Sequence, residues 1–380
     1  MAITTIPDRE LLSPWRALPF WSSLTLIPVL WFGAVMGGWW VAVVPLWAWT
    51  VFALLDALTG AEEGNADPET DRARLTWYRV ITLIWAPVQF VTLFALIAYA
   101  TRADHQSAAA SVGLFFGMGV VSGTIGINYA HELMHQKPRL DRRLGDLLLA
   151  MVLYAHFRSE HLLVHHRYVA TPRDPATARY NEGFHRFFAR VLWQSARSAW
   201  RAEAAMLARR GLRAGDRRNP FWRYAAGQGA MLALAFALGG WAGLGLFLVQ
   251  AITAIWQLEL VNYVEHYGLT RLHLGDGRFE PVRPRHSWNS AQKASNWLLI
   301  NLQRHSDHHY KPDRPFPLLQ TYAPSEAPQL PAGYPVMTVA AMVPPVWRRI
   351  MNPKVRAWRR RHYPDVADWA PAKAGQPIDA

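Results

Sequence analysis

The sequence predicts an all-α integral membrane protein: six transmembrane helices carrying a histidine-rich, metal-binding cap on their cytoplasmic side. Three observations lead there. Charged residues make up 18% of the 380 residues, yet they are absent from four long apolar windows. Lysine and arginine lie almost wholly on one side of those windows. Nine of the 15 histidines fall into four compact groups, all on that same side.

The windows fix the spans. Ala17–Leu55 holds 39 residues without a charge, and as one helix it would run about 58 Å, twice a ~30 Å hydrocarbon core. It therefore reads as a hairpin turning at Gly37-Gly38-Trp39-Trp40. Val80–Thr101 and Gln106–Ala130 give one span each. Tyr224–Leu258 is again a hairpin, with Gly239-Gly240-Trp241 at its tip. The expected spans are 17–37, 40–58, 80–101, 108–130, 222–239 and 242–262. Cytoplasmic segments 131–221 and 263–362 follow, with 363–380 read as a flexible tail because it is rich in Ala and Pro. All form one domain. The 19 tryptophans suit membrane interfaces.

Orientation comes from the basic residues. With both termini cytoplasmic, 39 of the 40 Lys and Arg fall on the inner side and only Arg102 on the outer, the bias of a bacterial-type plasma membrane protein. The N-terminus lacks the pattern of a cleavable signal peptide. A net charge of +13 concentrated on one face suits anionic lipid or an acidic soluble partner. No recognition module accompanies it, so nucleic acid is not expected. Zero cysteines exclude disulfides, thiolate catalysis, Cys-ligated zinc and a built-in rubredoxin-type centre.

The chemistry rests on imidazole. His131-Glu-Leu-Met-His135 places two rings on one helical face. His161, His165 and His166 form a second group, His305, His308 and His309 a third, and His266 stands alone after the sixth span. Nine rings exceed the three or four that one zinc takes, so two metals are expected, with Fe, Cu and Zn all compatible with nitrogen donors. Glu132, Glu160, Glu259, Glu265, Asp307, Asn128 and Asn262 are candidates to accept the ligands' other ring N–H. Trp47, Trp49, Phe52 and Leu55 on the second span are candidates to line an alkyl tunnel. Residues His105, His156, His185, His273, His286 and His362 are not read as ligands. A histidine-rich metal or haem transporter stays open as a distant alternative, although it predicts more charge inside the spans. A zinc protease using Glu132 would leave six histidines unexplained.

The strings HELMH at 131–135, EHLLVHH at 160–166, NYVEHYGL at 262–269 and LQRHSDHH at 302–309 resemble the membrane-bound alkane 1-monooxygenases, within the integral-membrane fatty acid desaturase and hydroxylase superfamily. Val164 stands where that family has Gly, and Met134-His135-Gln136 where it commonly has Gly-His-Lys; no histidine is lost. The resemblance implies a non-haem di-iron centre on the nine histidines and O₂-dependent hydroxylation of an n-alkane to a primary alcohol. It also implies electrons from rubredoxin or a ferredoxin through its NAD(P)H-dependent reductase. Methyl-arene hydroxylation and acyl-lipid desaturation are the alternatives within the superfamily. An unactivated C–H bond needs an oxidant made from O₂ and two electrons, which side chains alone do not supply, and an alkane would arrive through the bilayer.

Overall fold

The computed structural model describes residues 4–379. Its long elements are helices. One small departure from the all-α expectation is a parallel pairing of Thr5–Ile6 with Asn65–Ala66, which ties the N-terminal segment to the loop after the second long helix.

Five helices are long and apolar enough to cross a bilayer: Pro14–Met36, Gly38–Thr59, Thr76–Ala100, Ala108–His135 and Phe221–His266. The first two meet at Gly37 and Gly38, both at positive φ (63° and 53°), where a side chain would be strained. The reversal is tight enough that a Cβ on Gly33 would lie 3.0 Å from the Trp40 carbonyl oxygen. Trp39 and Trp40 stand exposed at its tip, as interfacial anchors do. The fifth helix, at 46 residues, would extend about 69 Å if straight. It is broken at Gly240 (φ 58°, ψ −148°), and a Cβ on Gly243 would come within 2.7 Å of the Ala235 carbonyl oxygen. Eight residues of continuous helix would separate those positions by about 12 Å, so the chain folds back there.

These turns gather at one end of the bundle. A Cβ on Gly37 would touch the His105 ring, and one on Gly239 the Thr101 side chain. Ser107 caps the fourth helix by accepting from the Ala110 N–H at 3.1 Å. At the centre, the fourth and fifth helices approach through small residues: a Cβ on Gly119 would collide with Thr253, and one on Gly123 with the Ala254 carbonyl and Gln257. Close backbone contact of this kind replaces the hydrophobic drive that lipid removes. Large apolar side chains such as Leu58, Val91 and Ile252 face outward, where lipid rather than water suits them.

At the other end the helices run past the expected span limits of 130 and 262 and carry His131, His135 and His266 on their last turns. A cap closes over them. Its buried Arg304 donates to the carbonyls of Gly64 (2.9 Å) and Leu319 (2.7 Å), pinning the third histidine group to the loop after the second long helix; burial lowers its pKa to about 10. Residues 363–379, read from composition as a flexible tail, lie against the 271–286 region instead. Ile378 is buried, and the Asp379 carboxylate sits 2.9 Å from His273 Nδ1. Composition alone does not register a docking partner 100 residues away.

Candidate metal centre

Local geometry aims the histidines. His131 and His135 are one turn apart on a regular helix end. His161–His165 is instead a π-helical turn, a widened turn in which residues five apart stack. His166 Nε2 therefore lies 2.9 Å from His161 Nε2, while His165 points elsewhere. On the short helix His305–Tyr310, neighbours His308 and His309 likewise face opposite ways.

Two groups result. The donor nitrogens of His131, His135, His161 and His308 lie within 4.8 Å of one another, and so do those of His165, His266, His305 and His309. His166 joins the first group, with its Nε2 3.2 Å from His135 Nε2. The groups adjoin, with the His166 and His309 ring centroids 4.9 Å apart.

The donor set fits metal ions. Nε2 atoms of His135, His161 and His166 form a triangle with sides of 3.0, 2.9 and 3.2 Å. Neutral imidazoles cannot satisfy all three sides with protons, because at least two corners must carry the same role. A shared cation satisfies all three lone pairs, and bonds of about 2.0–2.1 Å to it produce edges of about 3 Å. In the second group His305 Nε2 lies 2.9 Å from His309 Nε2 and 3.2 Å from His266 Nε2. Burial first, and the neighbouring imidazoles second, hold His161, His166, His305, His308 and His309 well below the ordinary histidine pKa. They stay neutral with lone pairs available, as ligation requires.

The candidate orienting residues divide. Glu265 reaches a candidate ligand, but at the nitrogen that faces the other imidazoles: its Oε2 is 3.2 Å from His305 Nε2 and its Oε1 accepts from Tyr334 at 2.9 Å, while His305 Nδ1 has no partner. Among the described residues, the others form no hydrogen bond to a histidine. Glu132 accepts from Gln136 at 2.8 Å. Glu259 accepts from Tyr154 and from Asn262, Asn128 donates to the Leu299 carbonyl, and Asp307 binds Arg314 and Tyr322. Glu160 is buried with Oε1 unpartnered; burial, then the Asp174 and Glu259 carboxylates, push its pKa well up. The orienting residue missed is Asp174, whose Oδ2 sits 2.9 Å from His165 Nδ1 and accepts from Thr177 Oγ1 at 2.6 Å. It lies in the irregular segment after Tyr168, nine residues beyond His165, where no helical spacing announces it.

A cavity lined by Trp49 of the second long helix reaches His131, His161 and His305. Of the four tunnel candidates, Trp49 alone lines it, its ring 6.3 Å from Phe116 and 6.4 Å from Trp256. Phe52 is buried, and Trp47 and Leu55 pack elsewhere against the core. Three π-helical turns, Trp47–Val51, Ser122–Ile127 and His161–His165, each supply a lining residue.

A groove flanks the His161–His166 turn. Its lining includes Leu163, Val164 and Trp193, together with Arg167, Arg173, Arg197, Arg201 and Arg209. Among the described residues, none of these five arginines forms an ion pair, whereas nearby Arg158 and Arg190 each hold a carboxylate.

The chain matches the fatty acid desaturase family model over residues 105–341. It is 40% identical to alkane 1-monooxygenase 2 of Pseudomonas aeruginosa, over 82% of this chain and 85% of that one. Against alkane 1-monooxygenase 2 of Alcanivorax borkumensis it is 36% identical over 93% and 94%. The xylene/toluene monooxygenase hydroxylase component of Pseudomonas putida is more distant, at 28% over 91% and 92%.

Proposed function

The chain belongs to the alkane 1-monooxygenase family, within the membrane fatty acid desaturase superfamily, and from that membership we propose how its residues hydroxylate the terminal methyl of an n-alkane. The chain is an integral-membrane monooxygenase. One oxygen atom of O₂ enters the terminal C–H bond to give a primary alcohol. The other leaves as water with two electrons and two protons.

Two non-haem irons are the proposed cofactors. His131, His135, His161, His166 and His308 would hold one, and His165, His266, His305 and His309 the other, with Glu265 beside the second and Asp174 fixing the His165 ring. Bound iron supplies the O₂-activating redox chemistry that side chains lack. The protein's own part is to position and to exclude water. The cavity walls would hold the chain, Trp49 among them, and His131, His161 and His305 would face the methyl group. The single observation that carries this reading is the meeting of both histidine groups with one apolar cavity.

Counting the two arms of Phe221–His266 separately, the proposed topology has six crossings of a bacterial plasma membrane, with both termini cytoplasmic. Electrons are proposed to come from rubredoxin or a ferredoxin with its NAD(P)H-dependent reductase. The arginine groove beside His165 and His166 suits an acidic carrier of that kind. The test is product analysis with purified protein, an added reductase–rubredoxin pair and n-alkanes of graded length. Primary alcohols from medium-length alkanes support the reading; oxidation of methyl-arenes with no alkane turned over replaces it by methyl-arene hydroxylation.

A further inference from the structure

The cavity wall carries polar atoms that the histidine centre does not use. Gln257 is 4% exposed, and its Oε1 has no hydrogen-bond partner; Thr124 Oγ1 and Trp49 Nε1 are likewise buried and unpartnered. All three residues line the same cavity, each from a different long helix. Their helices meet at this level: Trp49 packs on Trp256, the neighbour of Gln257, and a Cβ on Gly123, the neighbour of Thr124, would sit 2.7 Å from Gln257 Cβ.

Buried polar atoms without partners are unusual and costly in an apolar setting. A saturated hydrocarbon satisfies none of these. The set contains an indole N–H that only donates, an amide oxygen that only accepts, and a hydroxyl that does either. An ether or ester oxygen would engage the donors and leave Gln257 Oε1 bare. A ligand hydroxyl accepts from one and donates to the other, so it is the chemical complement.

The position sets a length. Thr124 lies seven residues before His131, and Gln257 nine before His266. At 1.5 Å per residue these are separations of about 10–14 Å, the span of roughly eight to eleven carbons of an extended chain.

We propose that Trp49, Thr124 and Gln257 form a hydroxyl-binding station, and that the protein accepts medium-chain primary alcohols as a second substrate class, methyl end toward the histidines. This rests on the hydroxylase reading above. The reaction is the same insertion at the far methyl: one O₂ oxygen enters the C–H bond and the other leaves as water. The family's electron donor supplies two electrons, and two protons are consumed. The original hydroxyl is unchanged, so the product is an α,ω-diol.

Two measurements test it. Equilibrium binding of radiolabelled 1-decanol and n-decane to purified protein, without reductant, compares wild type with Gln257→Leu and Thr124→Val. The expected result is a fall of about ten-fold in the alcohol-to-alkane affinity ratio for Gln257→Leu, and a smaller fall for Thr124→Val, because a site built to pair a hydroxyl discriminates by it. With the donor system added, wild type should convert 1-decanol to 1,10-decanediol. An unchanged ratio in both variants overturns the station, as does an enzyme that turns over n-decane but yields no diol from 1-octanol through 1-undecanol. The n-decane assay judges the hydroxylase reading separately from the ratio.

Discussion

The imidazoles of the centre hold one another through their facing Nε2 atoms, and His165 is held in addition by Asp174 on its Nδ1. His161→Ala should abolish activity by orders of magnitude and lower the bound metal, because its Nε2 contacts both His135 and His166. Asp174→Asn keeps the shape but weakens the acceptor on His165 Nδ1; losing an outer partner of this kind lowers metal affinity or turnover by about 10–100-fold. Asp307→Asn, by contrast, should act through the cap loop rather than the metal, since its partners are Arg314 and Tyr322. Replacing Trp49 by Ser should lengthen the preferred alkane in a chain-length profile, while the same change at Trp47 or Phe52 should leave the profile alone. Eight of the nine histidines were legible because they cluster at short spacings, and His266 because it follows the sixth span within the string NYVEHYGL. Their orienting partners were not. Glu132 and Asp307 sit next to ligands in sequence, but adjacent helical residues point about 100° apart; Asp174 is brought in by a turn that no periodicity marks.

Element by element, apolar length and glycine pairs carried most of the information. The reversals at Gly37-Gly38 and at Gly240 coincide with the positions where the uncharged windows are too long for one crossing. The three π-helical turns around the cavity had no signature, because a single inserted residue in a helix leaves composition and hydropathy untouched. Nor did the windows mark the contact between the fourth and fifth long helices, which depends on what lies across from Gly119 and Gly123. Gly123→Val places two methyl groups against the Ala254 carbonyl and Gln257. Overpacking of this kind costs about 1–3 kcal/mol, so the variant should melt at lower temperature in detergent and lose activity with it.

For the molecule as a whole, the distribution of charge links the chemistry to its surroundings. Substrate is proposed to enter from an apolar side, and electrons from a basic one. Arg197→Glu with Arg201→Glu should raise the KM for an acidic electron carrier and flatten the decline of turnover with salt, since surface steering is screened within about 8–10 Å at physiological ionic strength. A wild-type rate indifferent to salt would assign those arginines to lipid alone. Fusions placed after Arg102 should report the outer side, and fusions after Arg218 the cytoplasmic side. The overall charge asymmetry was visible in the sequence; that five arginines converge on one groove was not, because they come from two segments that only the fold brings together.

The proposal that nine histidines divide between two irons is met most directly by metal analysis of purified, active protein. Two irons per chain are expected, falling by about half when His266 or His309 alone is replaced by Ala. Full activity in protein carrying a single metal ion, or stoichiometric zinc in place of iron, would contradict the account.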